Sequence, residues 1–155
     1  MWFTYVMKMM FRYAILTLIV FCLGSCGKST NDYELASADF GADTLHMVEK
    51  EMGLKLPSGA KGVNFYYKAP IDPAFLAKIE IPDDAKDDMD QQLSALPNKP
   101  FKSSGGLPDR IAWWTPSDGR VVHDRKFFDE NTGQSRRAVL TEKDGKWFLY
   151  LDWNT

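Results

Sequence analysis

Cysteine is nearly absent: the 155-residue chain has two, Cys22 and Cys26, and none follows them. Whatever folds beyond Cys26 does so without disulfides and without a cysteine nucleophile or a cysteine-rich metal site. Histidine is as scarce. His46 and His123 are the only side chains whose ordinary titration lies near neutrality, and their separation offers no paired zinc-ligand spacing. Basic excess is missing too, with Lys+Arg 19 against Asp+Glu 21 and no Lys/Arg-rich stripe. A nucleic-acid partner is therefore not expected. Finally, no long apolar run is present. The longest, Tyr13 to Leu23, is broken by Thr17 and as a helix would reach about 16 Å, roughly half the hydrocarbon core of a bilayer. A permanent membrane-spanning helix is disfavoured.

That short run is informative in its setting. Lys8 and Arg12 precede it, no acid lies within residues 1–25, and small residues follow before Cys26. This is the charged, apolar and cleavage-region order of an export signal. Removing residues 1–25 takes away two positive charges, so the formal balance of −2 becomes about −4. The remaining domain is mildly acidic.

The residues Leu23-Gly24-Ser25-Cys26 resemble the lipobox of bacterial lipoprotein precursors. The resemblance covers the leader alone. It implies that the Cys26 thiol is alkylated with diacylglycerol and that a dedicated peptidase then cuts before Cys26. It also implies a cell-envelope location, anchored to a membrane by lipid. Gly27, rather than Asp, after the cysteine implies the outer membrane where the host has two membranes. Each buried methylene contributes about 0.8 kcal/mol, so two or more acyl chains hold firmly where one holds only marginally.

Three segments are expected: a signal over 1–25, a polar tether over 26–42 and one domain over 43–155. Asp43 or Thr44 can cap a helix ending at Met52, with Leu45, Val48 and Met52 on one side and Gly53 as terminator. Val63, Phe65 and Tyr67 alternate with polar neighbours as a strand, which Pro70 and Pro73 end. Ala77, Ile79 and Ile81 form a second strand. Asp83 then caps a helix carrying Ala85, Met89, Leu93 and Leu96, with Pro97 as its stop. The acids from Asp83 to Asp90 suit the positive end of that helix, and they lack the loop spacing of a calcium-binding hand. No metal and no cofactor is expected.

The last twenty residues are the most explicit. A two-residue turn at Asp144-Gly145 sets Leu140 opposite Leu149 and Ala138 opposite Leu151. Trp147, Leu149, Leu151 and Trp153 then share one face, while Phe148, Tyr150 and Val139 share the other. A strand apolar on both faces belongs in the middle of a sheet covered on both sides. The sum is an α+β fold: two short helices with a mainly antiparallel sheet of about five strands.

Candidate chemistry is sparse. The irregular stretch from Leu96 to Ile111 contains Ser103, Ser104, Gly105 and Gly106 and leads into Trp113-Trp114. On an extended backbone the two indoles point to opposite faces, so burying both needs cover on both sides. One reading places both in the core, the usual fate of tryptophan in a small domain. The other leaves one exposed beside Ser104, Gly105 and Gly106, to stack on a sugar or peptide or to anchor a protein interface. Arg120, Arg125, Lys126, Arg136 and Arg137 give the late region positive character, with Asp124, Asp129 and Glu130 interspersed.

Two functions follow. The first is a non-enzymatic binding or interaction domain for another envelope protein or an envelope polymer. The second is an envelope hydrolase using His123 with a carboxylate brought close by the fold, Asp72 or Asp124. Oligomeric state is open.

Overall fold

The computed structural model describes residues 31–69, 71–99 and 107–155. The leader and Cys26 lie outside the described residues, as do Ser104, Gly105 and Gly106.

The hairpin at the C-terminus sets the frame. Asp144 and Gly145 have φ of 53° and 73°, both left-handed, as a tight turn matched to strand twist requires. They join β5 (Gln134–Lys143) to β6 (Lys146–Asn154) in the expected register, Leu140 opposite Leu149 and Ala138 opposite Leu151. A second hairpin brings in β4 (Arg120–Asp129), and the edge of β6 away from β5 pairs with β3 (Ala74–Ile81). Beyond β3 lie β2 (Lys61–Lys68) and β1 (Tyr33–Ala36). The six strands form one antiparallel sheet in the order β1-β2-β3-β6-β5-β4. Two meanders are thus fused along β3 and β6, and the fold is α+β.

Strand β1 is the departure from expectation. Residues read as tether instead pair with β2, Tyr33 opposite Tyr67 and Leu35 opposite Phe65, and Phe40 behind them is 3% exposed. The compact unit that contains the sheet spans Asn31–Thr155. Four residues are too few to show a strand period against polar surroundings, so the pattern hides it. Phe40 is accommodated by Gly62, where any side chain would collide with its ring, and a register irregularity follows at Val63.

Both helices lie on one face of the sheet. Helix α1 (Ala42–Met52) buries Val48 and Met52, and α2 (Lys86–Ala95) buries Met89 and Leu93, all in one cluster with Phe65, Phe75, Ile79, Leu149 and Leu151. The caps differ from the sequence reading. Helix α1 starts from Gly41 with no side-chain cap, and it ends on Gly53 at φ 65° as expected. Asp83 does not cap α2, which begins after a 3-10 turn over Asp83–Ala85. The Asp83 carboxylate is instead held by the Trp147 indole N–H at 3.1 Å and by Lys86 at 3.8 Å.

One row across this face runs through all six strands: Tyr33, Tyr67, Phe75, Trp153, Arg136 and Phe127. Tyr33 stacks on Tyr67 with centroids 5.3 Å apart, and Phe75 stacks on Trp153 at 5.4 Å. Aromatic pairs in register across strands add to the stability of the sheet beyond their buried area.

The opposite face is covered differently. Its smaller core of Leu76, Val139, Tyr150 and Trp114 is closed by the segment from Leu107 to Asp118, which contains 3-10 turns at Pro108–Arg110 and Pro116–Asp118. Among the described residues no helix is long and apolar enough to cross a membrane.

Candidate functional site

Trp113 and Trp114 sit in a turn, not on extended backbone. The Trp114 N–H bonds the Ile111 carbonyl at 3.0 Å, and the Thr115 N–H bonds the Trp113 carbonyl at 3.0 Å. The expectation that the rings point to opposite faces therefore fails. A turn lets neighbouring side chains reach the same side: Trp114 is in the core of the loop-covered face and Trp113 packs against that core, with ring centroids 6.3 Å apart.

Their environments nevertheless differ. Trp114 is 8% exposed and meets Tyr150 edge-on at 5.5 Å, a core contact. Trp113 is only half-buried, and its indole N–H donates to the Glu34 carboxylate on β1 at 2.6 Å. Beside it lies half-buried Tyr66, whose hydroxyl donates to Asp32 at 2.9 Å. Asp32 also accepts from the Ala69 N–H at 2.9 Å, and these two bonds hold its carboxyl below the usual range. The Asp32 bond and burial together push the Tyr66 phenol up. Further along the same face Lys78 lies over the rings of Phe148 and Tyr150, at 4.7 and 5.3 Å. Aromatic rings, held carboxylates and a cation thus share the loop-covered face. Of the residues singled out from sequence, Trp113 belongs to this surface and Trp114 to the core beneath it.

His123 finds a carboxylate, but neither of the expected ones. Its Nε2 is 2.6 Å from Asp90 on α2, with Ser94 Oγ at 3.5 Å. Asp124 is turned to the opposite face and receives two bonds from Arg137, at 2.9 and 2.8 Å. Burial raises the Asp124 carboxyl, but the Arg137 bonds and charge outweigh it and hold it low. Asp72 stands in the turn between β2 and β3, at φ 55°. Sequence spacing could not single out Asp90, because its link to His123 is made by packing α2 on the sheet. A nucleophile, histidine and acid relay uses one ring nitrogen for each partner. Here one nitrogen faces both Asp90 and Ser94, which suits a tie between helix and strand better than a relay.

A third polar site was not anticipated. Asp152, on β6 facing away from the helices, is 8% exposed, and its cross-strand neighbour Arg137 is committed to Asp124. The Asn154 amide donates to it at 3.5 Å, and Asn154 in turn accepts from the Ser135 hydroxyl. Burial raises the Asp152 carboxyl to about 6, against the opposing pull of Asn154, Arg137 and Lys126. The only sequence clue is an acid placed between Leu151 and Trp153.

Among the described residues no group of three His, Cys, Asp or Glu side chains could hold a metal ion. No protein-family model, curated protein or solved structure matches the chain.

Proposed function

We propose that the chain is a cell-envelope lipoprotein, anchored through lipid on Cys26, whose domain binds an envelope protein or polymer without catalysing a reaction. The binding surface is the loop-covered sheet face around Trp113, with Tyr66, Glu34, Lys78 and Phe148 beside it. The observation that carries this reading is the division of labour within the tryptophan pair. Trp114 fills the core, while Trp113 is held in one orientation by Glu34 and keeps part of its ring at the surface. A pre-oriented aromatic ring spends little entropy on binding. The lipobox-like Leu23-Gly24-Ser25-Cys26 supports the anchor, and the single-nitrogen geometry at His123 favours binding over hydrolysis.

Two measurements test it. Mass spectrometry of the protein purified from its own membrane should find Cys26 at the new N-terminus bearing diacylglycerol; an unmodified thiol there removes the anchor. Trp113→Ala should keep the fold and weaken retention of the partner captured by the tagged, lipidated protein. Unchanged retention by a folded Trp113→Ala variant removes the surface.

A further inference from the structure

The five cations that crowd the late sequence are sorted by the sheet according to face and partner. Arg120 pairs with Glu142, Arg137 pairs with Asp124, and Lys126 stands opposite Arg137 on the loop-covered side near Asp124 and Asp152. Arg125 and Arg136 fall on the helix-covered face instead, opposite Ala138 and Phe127 respectively, which makes them diagonal neighbours on β4 and β5. Neither forms an ion pair among the described residues: Asp129, on the same face of β4, feels the Arg136 charge without pairing with it, and of the acids on the adjoining helix Asp90 is taken by His123.

Arg136 is fixed in place. Its Nη2 donates to Gln134 at 2.8 Å and its guanidinium lies over the Phe127 ring at 5.8 Å. Directly across from it on β6 is Trp153, 6% exposed and stacked on Phe75. Among the described residues three buried side-chain polar atoms lack a hydrogen-bond partner: Arg125 Nε, Arg136 Nε and Trp153 Nε1. All three are N–H donors, and all three belong to contiguous positions of this one face. Two carry full positive charge. Unmatched donors of one kind gathered in one place favour an acceptor with several oxygens and negative charge.

We propose that Arg125, Arg136 and Trp153 form a binding site for a phosphate-type oxyanion. Two guanidiniums match the charge of a phosphoryl dianion, and its three terminal oxygens can serve three donor groups where a carboxylate offers only two oxygens. Both arginines are half-buried and stand on the outer two strands, so the anion approaches from the β4 edge and meets their terminal nitrogens first. Seating it then brings the inner N–H groups into use. The site does not depend on how the chain is anchored or on what Trp113 touches.

The test is titration of the full chain with sodium phosphate at fixed ionic strength, with sodium acetate and sodium chloride in parallel arms, read by calorimetry and by the thermal midpoint. Phosphate should bind saturably and raise the midpoint, and acetate should bind more weakly. Arg125→Gln and Arg136→Gln should each raise the phosphate Kd by roughly tenfold or more, the effect of losing a charge-assisted hydrogen bond. Trp153→Phe keeps an aromatic ring against Phe75 while removing the N–H, and should raise Kd several-fold in a variant whose thermal midpoint without phosphate shows it folded, so the site is tested even where an arginine variant loosens the sheet. Lys146→Gln, whose amine pairs with Glu80 elsewhere, should leave Kd unchanged. Non-saturable binding, equal affinity for acetate, or equal Kd in Lys146→Gln and Arg136→Gln overturns the site. A short-chain phosphatidic acid kept below its micelle concentration distinguishes the sources. Tighter binding than inorganic phosphate points to a lipid headgroup, weaker binding to a free phosphate, and either result upholds the site.

Discussion

The two faces of one sheet are built from the same strands and have different jobs. The helix-covered face is almost wholly apolar across β2, β3 and β6, and two helices close it with Val48, Met52, Met89 and Leu93. On the loop-covered face a core of four buried residues is bordered by charge: Lys78, Asp124, Lys126, Arg137 and Asp152. Burying apolar area stabilises, whereas a buried ionisable group costs free energy unless it is well partnered. The first face therefore carries the stability of the domain. The second gives some of it up to hold polar groups in place, and such sites are where function concentrates.

Truncating a large side chain on each face should break this comparison most visibly. Phe65 has no exposure and touches the rings of Tyr33, Phe40 and Phe75, so Phe65→Ala should cost about 4 kcal/mol in urea unfolding. Trp114 belongs to an irregular segment that can settle into the space its ring leaves. Trp114→Ala should therefore cost less, about 3 kcal/mol. Equal losses, or a larger one at Trp114, would mean that the loop-covered core is no accessory.

Asp152→Asn should act in the opposite direction. The carboxyl is raised from 3.8 to about 6, so the fold favours its protonated form. The native state keeps full stability below pH 3.8, loses it progressively as pH rises towards 6, and above that carries a constant penalty of at most about 3 kcal/mol. Asparagine removes the titration. The variant should thus be more stable than the parent at pH 7.5 by about 2 kcal/mol, and the difference should vanish near pH 3.5. A gain that is independent of pH would place its cause outside the carboxylate.

How much of this was legible depended on the range of each signal. The Asp144-Gly145 turn and the alternation on both sides of it fix the β5–β6 register within twenty residues, so local chemistry was enough. Helix α1 was readable for the same reason, through Val48, Met52 and the terminating Gly53. Strand β1 was not, because Tyr33 and Leu35 acquire meaning only against Tyr67 and Phe65, some thirty residues away. The site suffered the same loss. Trp113 could be picked out as an aromatic beside a glycine-rich loop, but Glu34 lies far upstream in what reads as linker. Asp90 resembles any acid of a solvated helix until α2 is laid beside His123. Contacts between distant segments are set by tertiary packing, for which a single sequence carries no periodic signature.

The smallest expected effect is also the most discriminating for the loop-covered face. Glu34→Ala removes the acceptor of the Trp113 indole N–H without touching either core, and should lower stability by only about 0.5–1 kcal/mol. Its consequence should appear in the ring instead. Each indole N–H gives its own resonance in a nitrogen-labelled sample, and that of Trp113 should shift and exchange faster with solvent while those of Trp114 and Trp153 stay put. If Trp113 were held by packing alone, as Trp114 is, losing one surface carboxylate would leave its resonance unchanged. A moved Trp113 signal in an otherwise native spectrum would establish that β1, through one carboxylate, aims the ring that the opposite end of the domain supplies.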